Sequence, residues 1–187
     1  MFHKKKDLRI QNTKEFVYEA LKNLLSKHKY QDISISMIIK KSGVGRTTFY
    51  RHFYTKDDII LTKLKQQTLD LIEQLNRAFD LTIYYKDLNQ KIKFFFEYWN
   101  QNPGIIELII FLNKTQLLYN TWSKLLLDMF SMIDMGLESD VSAQYVAHFA
   151  TGGLTSLLIQ WFKNDRKESV DFISKHFYIP QEIKRTD

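Results

Sequence analysis

The sequence predicts an all-α protein, and three observations lead to this fold class. Apolar residues recur at spacings of three and four, the period of an amphipathic helix, along almost the whole chain. Only 2 of the 187 residues are Pro and 6 are Gly, which favours long helices over a turn-rich β fold. No run with apolar–polar alternation is apparent. We therefore predict about nine helices, arranged as a small N-terminal domain and a C-terminal helical bundle.

Three helices are predicted in the N-terminal domain. The first ends near Lys29, and its apolar positions form one stripe: Phe16, Val17, Ala20, Leu21, Leu24 and Leu25. Ser34 is a suitable N-cap for a short second helix. The segment "SGVG", residues 42–45, then interrupts the helical pattern, and a very short third helix can run from Arg46 to His52.

A long fourth helix follows, starting at Thr55. Asp58 lies three residues after Thr55, the spacing of a capping box with Asp in place of Glu. Apolar residues then continue along one stripe: Ile59, Ile60, Leu64, Leu71, Ile72, Leu75 and Phe79. We place the domain boundary at the start of this helix, so that residues 1–54 form the first domain and residues 55–187 the second.

Further helices are predicted in the second domain, each with its own apolar stripe. Pro103 suits the first turn of one of them, and Ser169 suits the N-cap of the last. The other stripes include Phe96, Trp122 and Leu154. The long fourth helix joins the two domains without a flexible linker, so a movement of one domain would be transmitted to the other.

Charge is distributed unevenly along the chain. Residues 1–66 contain 15 Lys and Arg against 6 Asp and Glu, a net charge of +9, whereas residues 67–187 contain 12 against 15, a net charge of −3. A basic N-terminal third on a mildly acidic body indicates that one end meets a polyanion. The basic arm Lys4, Lys5, Lys6 and Arg9 precedes the first predicted helix and either reaches a nucleic-acid backbone or minor groove or is a solubilising tail.

Several protein classes are disfavoured by composition. Cys is absent, which excludes a disulfide framework, a zinc–thiolate site and a cysteine nucleophile. The basic N-terminus is not followed by an apolar segment of the kind found in signal peptides. The apolar run Gly104–Leu112 is too short to span a bilayer. Neither a nucleotide-binding glycine loop nor an "HExxH" motif is present, and the five His are scattered. We predict a soluble cytoplasmic protein that is not an enzyme and has no cofactor or metal.

Residues 35–52 have the pattern of a helix-turn-helix. Gly43 fits the tight turn between two short helices, where a positive φ is wanted. The second helix of this motif enters the major groove, and its N-terminal residues reach base edges. Arg46, Thr47 and Thr48 occupy those positions, and both residue types have the hydrogen-bonding groups for bases.

The remaining residues of the third helix have other predicted tasks. Phe49 and Phe53 are four apart and share a face that would anchor the helix on its own domain. Tyr50, His52 and Lys56 lie off that face and can bond phosphates. The alternative, a solvated basic hairpin on a helical bundle, explains the charge but not an exposed Tyr beside two buried Phe.

The segment "ISMIIKKSGVGRTTFYRHFYTKDDII", residues 35–60, resembles the DNA-binding signature of the TetR/AcrR family of bacterial transcriptional regulators. The upstream residues 8–34 are similar to that family's first helix and its entry to the second. The resemblance implies an all-α homodimer whose first three helices bind DNA. It also implies a variable C-terminal body that forms the dimer interface and usually holds an effector pocket.

The resemblance assigns roles to individual residues. Base-reading positions correspond to Arg46, Thr47 and Thr48. Backbone-contacting positions correspond to Ser36, Thr48, Tyr50, His52 and Lys56. The chain departs from many relatives at Gly45, where they have Ser as the N-cap of the recognition helix, and this departure removes one hydroxyl that could meet a phosphate.

In the C-terminal body, the resemblance implies two sites, a dimer interface and an effector pocket. The alternative for each is that the same residues belong to the ordinary hydrophobic core. The dimer interface would include Gly152, Gly153, Leu154, Leu157, Trp161 and Phe172. The effector pocket would include Phe95, Tyr98, Trp99, Phe111, Tyr119 and Trp122, a lining suited to an apolar or cationic small molecule. Gly inside a helix lowers its stability relative to Ala, so the pair Gly152 and Gly153 indicates that another helix packs closely there.

The resemblance thus predicts a sequence-specific DNA-binding transcriptional regulator. The predicted form is a homodimeric repressor on a near-palindromic double-stranded DNA operator, released by a small-molecule effector. One alternative is a regulator controlled by a partner or by no ligand. The other is a helical interaction protein whose basic face binds acidic partners instead of DNA.

Overall fold

The computed structural model of the chain describes residues 2–79, 88–130 and 140–176, with side chains within residues 9–79, 88–128 and 144–175. The described residues form nine α-helices and one 3-10 helix, Tyr30–Asp32, and they contain no strand, which confirms the predicted all-α class. The α-helices are α1 (Phe2–Leu25), α2 (Ile35–Ser42), α3 (Arg46–His52), α4 (Lys56–Ala78), α5 (Leu88–Gln101), α6 (Gly104–Phe111), α7 (Gln116–Phe130), α8 (Asp140–Lys163) and α9 (Val170–His176).

The chain divides into two compact units, an N-terminal unit Met1–Gln67 and a C-terminal unit Thr68–Asp187. The division falls inside α4, so this helix contributes its first half to one unit and its second half to the other. The predicted domain boundary, after residue 54, lies at the start of α4. The assignment of DNA binding to the first domain, and of effector binding and dimerisation to the second, stays a prediction.

Helix α1 is longer at its beginning than the apolar pattern indicated. It starts at Phe2, so the basic residues expected to precede the first helix belong to its first turns. No Gly or Pro occurs between residues 2 and 25, and Lys, Arg and Leu are good helix formers. The interpretation of this segment as an arm separate from α1 was therefore wrong. The helix ends at Leu25, earlier than the predicted Lys29.

Two residues define the ends of α2 as the sequence indicated. The Ser34 side chain accepts a hydrogen bond from the backbone N of Met37 at 3.2 Å, which satisfies one of the free amides of the first turn. Gly43 ends the helix with a φ of +68°, in the left-handed region. Gly45 is then the N-cap of α3 and, lacking a side chain, provides no capping hydrogen bond.

Substitution of the two glycines of this turn is expected to have opposite effects on stability. Gly43→Ala should lower the free energy of unfolding by about 1 kcal/mol, because a Cβ is disfavoured at positive φ even where space is open. Gly45→Ser is the matched control and should be neutral or stabilising by a few tenths of a kcal/mol, because it restores an N-cap hydroxyl. Urea unfolding followed by circular dichroism measures both; equal loss in the two variants would contradict this account.

The start of α4 has the predicted capping box. The carboxylate Oδ2 of Asp58 accepts from the backbone N of Thr55 at 2.8 Å and of Tyr54 at 2.9 Å. In return, the Asp58 amide donates to Thr55 Oγ1 at 3.2 Å. Burial alone would raise the pKa of Asp58, but these amides hold it below its usual range. The helix that follows the recognition helix therefore has a well-defined beginning.

The C-terminal unit is built around aromatic side chains. The Phe96 ring on α5 meets the Trp161 ring on α8 with centroids 5.7 Å apart. Outside this core, Lys93 on α5 pairs with Asp171 on α9 at 2.7 Å, and Arg166 pairs with Glu107 of α6 at 3.1 Å. These exposed ion pairs link α9 to α5, and α6 to the segment after α8, but surface pairs of this kind contribute little to stability.

Candidate nucleic-acid interface

Helices α2 and α3 form a helix-turn-helix whose second helix is anchored by two aromatic side chains. Phe49 and Phe53 are both 0 % exposed, and their ring centroids are 5.4 Å apart. Ile38 of α2 is buried in the same unit. A helix of only seven residues would not be stable by itself, so this burial is what holds α3 in place.

The opposite side of α3 is available to a ligand. Arg46 and Thr47 are exposed in its first turn, while Thr48 is half-buried. Arg46 Nη2 donates to Ser36 Oγ of α2 at 3.4 Å, a long hydrogen bond between two exposed side chains. A predicted base-reading residue and a predicted backbone-contacting residue, ten apart in sequence, thus share one surface.

Tyr50 and His52 lie further along the same helix. Tyr50 is partly exposed, and its ring meets the Phe49 ring at 85° with centroids 5.5 Å apart. Burial, together with the positive charges of Lys14 and Arg51, lowers the pKa of His52 below its usual value. His52 is therefore largely neutral at pH 7 in the free protein, in a basic environment that would attract a phosphate.

Lys56 belongs to a cluster that the sequence did not indicate. Its Nζ donates to the backbone O of Tyr30 and lies 4.5 Å from the centroid of the Tyr30 ring. The hydroxyl of Tyr30 donates to Asp57 Oδ1 in turn. Burial and this carboxylate raise the pKa of the Tyr30 hydroxyl above its usual value. The Lys56 ammonium has three N–H donors, and one of them is used by the backbone O of Tyr30. A phosphate contact would use the other two.

Most residues of the predicted effector pocket form one aromatic cluster in the C-terminal unit. Phe95 and Trp99 of α5 meet the Trp122 ring of α7, with centroids 5.4 and 5.6 Å apart. Tyr98 and Trp99 are buried, and their rings are 5.1 Å apart. Phe111, by contrast, is 71 % exposed, unlike the buried rings of Tyr98 and Trp99.

Tyr119 of the predicted pocket contacts His148 of α8. Its hydroxyl and Nδ1 of His148 are 2.9 Å apart, and the two rings stack with centroids 6.1 Å apart. This pair joins α7 to α8, which pack along each other. Tyr119 therefore has a structural role between two helices, in addition to its predicted role in a pocket.

The predicted dimer residues divide between core and surface. Trp161 is buried, and its Nε1 donates to the backbone O of Glu168 at 2.9 Å, so little of it is accessible to a partner. Phe172 is exposed on α9. The partly exposed members of the set are Gly152, Gly153, Leu154 and Leu157.

Two exposed aromatics on α8 were absent from the predicted interface. Tyr145 is 74 % and Phe149 73 % exposed, and they lie four residues apart on the same face of the helix. Gly152 continues this face, with nothing within 4 Å of where its Cβ would be. The apolar periodicity of α8 could not distinguish its exposed face from its core face, because both carry large apolar residues.

Comparison with known families covers both units. Residues 86–179 match the family described as "Transcriptional regulator C-terminal region", and residues 17–62 match "Bacterial regulatory proteins, tetR family". The first match alone spans half of the chain. The chain belongs to the TetR family of bacterial transcriptional regulators. The TetR resemblance read from residues 35–60 is thereby confirmed.

Individual relatives agree with this assignment. The TetR-family chain is 33 % identical over 73 residues to the uncharacterized HTH-type transcriptional regulator YxbF of Bacillus subtilis (strain 168). This stretch is 38 % of the chain but only 19 % of that regulator, so the chain matches less than two thirds of its length.

Solved structures of TetR-family proteins share the fold. One is a putative TetR-family transcriptional regulator from Syntrophomonas wolfei str. Goettingen, with a TM-score of 0.66 and 19 % identity over 89 % of this chain and 91 % of that one. Another is a TetR transcriptional regulator from Streptococcus agalactiae 2603V, with a TM-score of 0.56 and 19 % identity over 91 % of this chain and 94 % of that one. At such identity, the likeness shows the fold.

Neither a metal-type cluster nor a membrane-spanning helix occurs within the parts of the TetR-family chain that the structure describes. Those parts contain no group of three or more His, Cys, Asp or Glu placed to hold a metal ion. None of the described helices combines the length and apolar character needed to cross a bilayer.

Proposed function

We propose that this TetR-family protein is a homodimeric repressor that binds a near-palindromic DNA operator and leaves it when a small molecule binds the C-terminal unit. The observation that carries the proposal is the arrangement of α3. Phe49 and Phe53 fix this helix on its own unit, while Arg46 and Thr47 extend from its exposed N-terminal turn. In a helix-turn-helix, that turn is the part which reaches base edges.

The chemistry of α3 supports reading of bases in the major groove. The Arg46 guanidinium can donate two parallel hydrogen bonds to guanine O6 and N7. Thr47 and Thr48 can hydrogen-bond a base or touch the methyl of thymine. The hydrogen bond from Arg46 to Ser36 is long and exposed, so it is easily exchanged for a base contact.

Backbone contacts would position the protein without reading sequence. Ser36, Tyr50, His52 and Lys56 are our proposed phosphate-binding residues. Residues 1–66 have a net charge of +9, which favours association with a polyanion. Binding should therefore weaken as salt concentration rises.

A homodimer would supply the second recognition helix. We place its interface on the exposed face of α8 that contains Tyr145, Phe149 and Gly152, together with Phe172 of α9. Aromatic side chains bury large areas at interfaces, and the missing side chain at Gly152 permits close helix approach. Two copies would place their α3 helices in major grooves about one helical turn apart.

Release would follow from a shift between two conformations. An effector that binds one arrangement of the C-terminal unit better than the other shifts the population toward it. Such a ligand acts on DNA binding only if the favoured arrangement no longer matches two successive grooves. We place this regulation in the bacterial cytoplasm, where operator DNA is accessible.

Selection from random DNA duplexes tests the proposal directly. The wild-type protein should enrich one near-palindromic sequence, and size-exclusion chromatography with light scattering should give a dimer. If no sequence is enriched, the chain is instead an interaction protein with a basic face. A thermal-shift screen with apolar and cationic compounds separates a ligand-controlled repressor from one that responds to no ligand.

The proposed contact between His52 and a phosphate predicts a pH dependence of operator binding. The free protein holds the pKa of His52 below its usual value, whereas a phosphate would favour the protonated ring and raise it. Binding therefore takes up a proton, and affinity should rise roughly tenfold between about pH 8 and about pH 5.5. Fluorescence anisotropy with a labelled duplex measures this slope.

Two variants give the control for the pH experiment. His52→Gln keeps a neutral donor and should flatten the slope, whereas His28→Gln, at an exposed position after α1, should leave it intact. A slope that survives in His52→Gln would remove His52 from the interface. The same lowered pKa makes His52 a small source of acid sensitivity, because the unfolded chain binds the proton more readily as pH falls below about 6.5.

A further inference from the structure

Among the described residues of the C-terminal unit, one indole N–H is buried without a partner. Trp99 is 0 % exposed, and among the described residues nothing accepts a hydrogen bond from its Nε1. Its ring contacts those of Tyr98, Trp122 and Phe95, with centroids 5.1, 5.6 and 6.4 Å away. Buried donors are almost always paired in folded proteins, so this group needs an explanation.

The polar groups of the two neighbouring rings, Trp122 and Tyr98, are paired within the protein. Trp122 Nε1 donates to Thr68 Oγ1 at 3.0 Å, and the Tyr98 hydroxyl donates to Asp70 Oδ2 at 2.9 Å. The third indole of the chain, Trp161, donates to the backbone O of Glu168 at 2.9 Å. Trp99 is thus the exception among three Trp residues in one helical unit, and a general tolerance of unpaired indoles does not account for it.

We propose that Trp99, with the rings of Phe95 and Trp122, binds a flat, uncharged molecule that has a hydrogen-bond acceptor, such as an aryl ketone. This rests on the proposed control by an effector and names the chemical class of that effector. An indole N–H can only donate, so the ligand must supply the acceptor. The aromatic rings supply the apolar contact area that such a site needs.

The local charges favour a neutral ligand. The N–H edge of an indole has a partial positive charge, which disfavours a cation at that position. A carboxylate would need a cation beside it, and the ring neighbours of Trp99 are aromatic and uncharged. The nearby carboxylate of Asp70 is used by Tyr98. Of the apolar and cationic ligands that the sequence analysis allowed, the proposal therefore keeps the uncharged ones and drops the cations.

The same cluster is linked to α4. Thr68 and Asp70, the acceptors for Trp122 and Tyr98, both lie in the second half of that helix. A ligand that shifts either aromatic ring would act on these two hydrogen bonds. Helix α4 begins four residues after α3 ends, so the bonds connect the proposed site to the helix that follows the recognition helix.

Nitrogen-15 NMR of the full chain tests the proposal on the indole groups themselves. The three Trp residues give three indole N–H signals, and the one absent from Trp99→Phe belongs to Trp99. The probes are 2-acetylnaphthalene, 2-isopropenylnaphthalene as its hydrocarbon of the same shape, and 2-naphthoate as its charged analogue. The ketone should move the Trp99 signal, whereas the Trp161 signal should stay in place.

Affinities of the three probes, measured by calorimetry, give the second result. Wild-type protein should bind the ketone about tenfold more tightly than the hydrocarbon, because only the ketone pairs the buried N–H. Trp99→Phe should remove this difference while it keeps hydrocarbon binding. Circular dichroism establishes that the variant is folded, and the wild-type comparison of ketone with hydrocarbon does not depend on it.

Several results would overturn the proposal. Equal affinity of ketone and hydrocarbon for wild-type protein, tightest binding of the naphthoate, or no binding of any probe would each do so. A Trp99 signal that exchanges with water and ignores the ketone would show that an ordered water pairs the N–H. These experiments use no DNA. Their outcome is therefore independent of the selection from random duplexes, which tests the proposed operator binding.

Discussion

Phe49→Ala is expected to lower the free energy of unfolding of the N-terminal unit by about 3–5 kcal/mol, the usual cost of removing a buried Phe ring. The ring is 0 % exposed and contacts both the Phe53 and the Tyr50 rings. Small domains have total stabilities of about 5–15 kcal/mol, so this loss is a large fraction of what holds the helix-turn-helix together. DNA binding should be lost as α3 loses its attachment.

Tyr54→Ala is the matched control for this substitution. Tyr54 is an exposed aromatic one residue beyond Phe53, and its removal should change stability by less than about 0.5 kcal/mol. Urea unfolding of both variants, followed by circular dichroism, gives the comparison. If Phe49→Ala unfolds at the same urea concentration as Tyr54→Ala, Phe49 is not the anchor of the recognition helix.

Arg46→Ala is expected to weaken operator binding by about 1–3 kcal/mol, or roughly fivefold to 150-fold, and to relax the preference at one base pair. Arg46 is exposed and makes one long side-chain hydrogen bond, so stability should change little. Selection from random duplexes with the variant shows which position loses its preference. Anisotropy with the wild-type operator measures the loss in affinity.

Arg51→Ala removes the same charge from the other end of α3. Arg51 is exposed in the last turn, away from the N-terminal residues that reach base edges. This variant should weaken binding to all duplexes similarly, because it removes a positive charge near the DNA without removing a base contact. Identical base preferences in the two variants would argue against base reading by Arg46.

Much of the N-terminal unit was predictable because its determinants are local. Ser34 caps α2 three residues before the amide it bonds, and Asp58 caps α4 at the same spacing from Thr55. Gly43 ends α2 through its own backbone conformation. Each of these features depends on residue types within one helical turn, which a sequence displays directly.

The candidate sites were predictable only in part, because they depend on contacts between distant residues. Tyr30 and Asp57 are 27 residues apart, and no spacing rule connects them. The partners of Trp122 and Tyr98 lie 54 and 28 residues away, on α4. Trp161 and Phe149 follow the same apolar pattern in α8, yet one is buried and the other is exposed.

The sequence by itself determined the all-α class, the TetR-type helix-turn-helix and the burial of Phe49 and Phe53, since helical period, caps and turn residues act over three or four positions. Only the tertiary structure decided which face of α8 is exposed and which indole has no hydrogen-bond acceptor among the described residues. A side chain's burial and hydrogen bonds depend on what another helix places beside it, and that neighbour is set by packing of the whole unit.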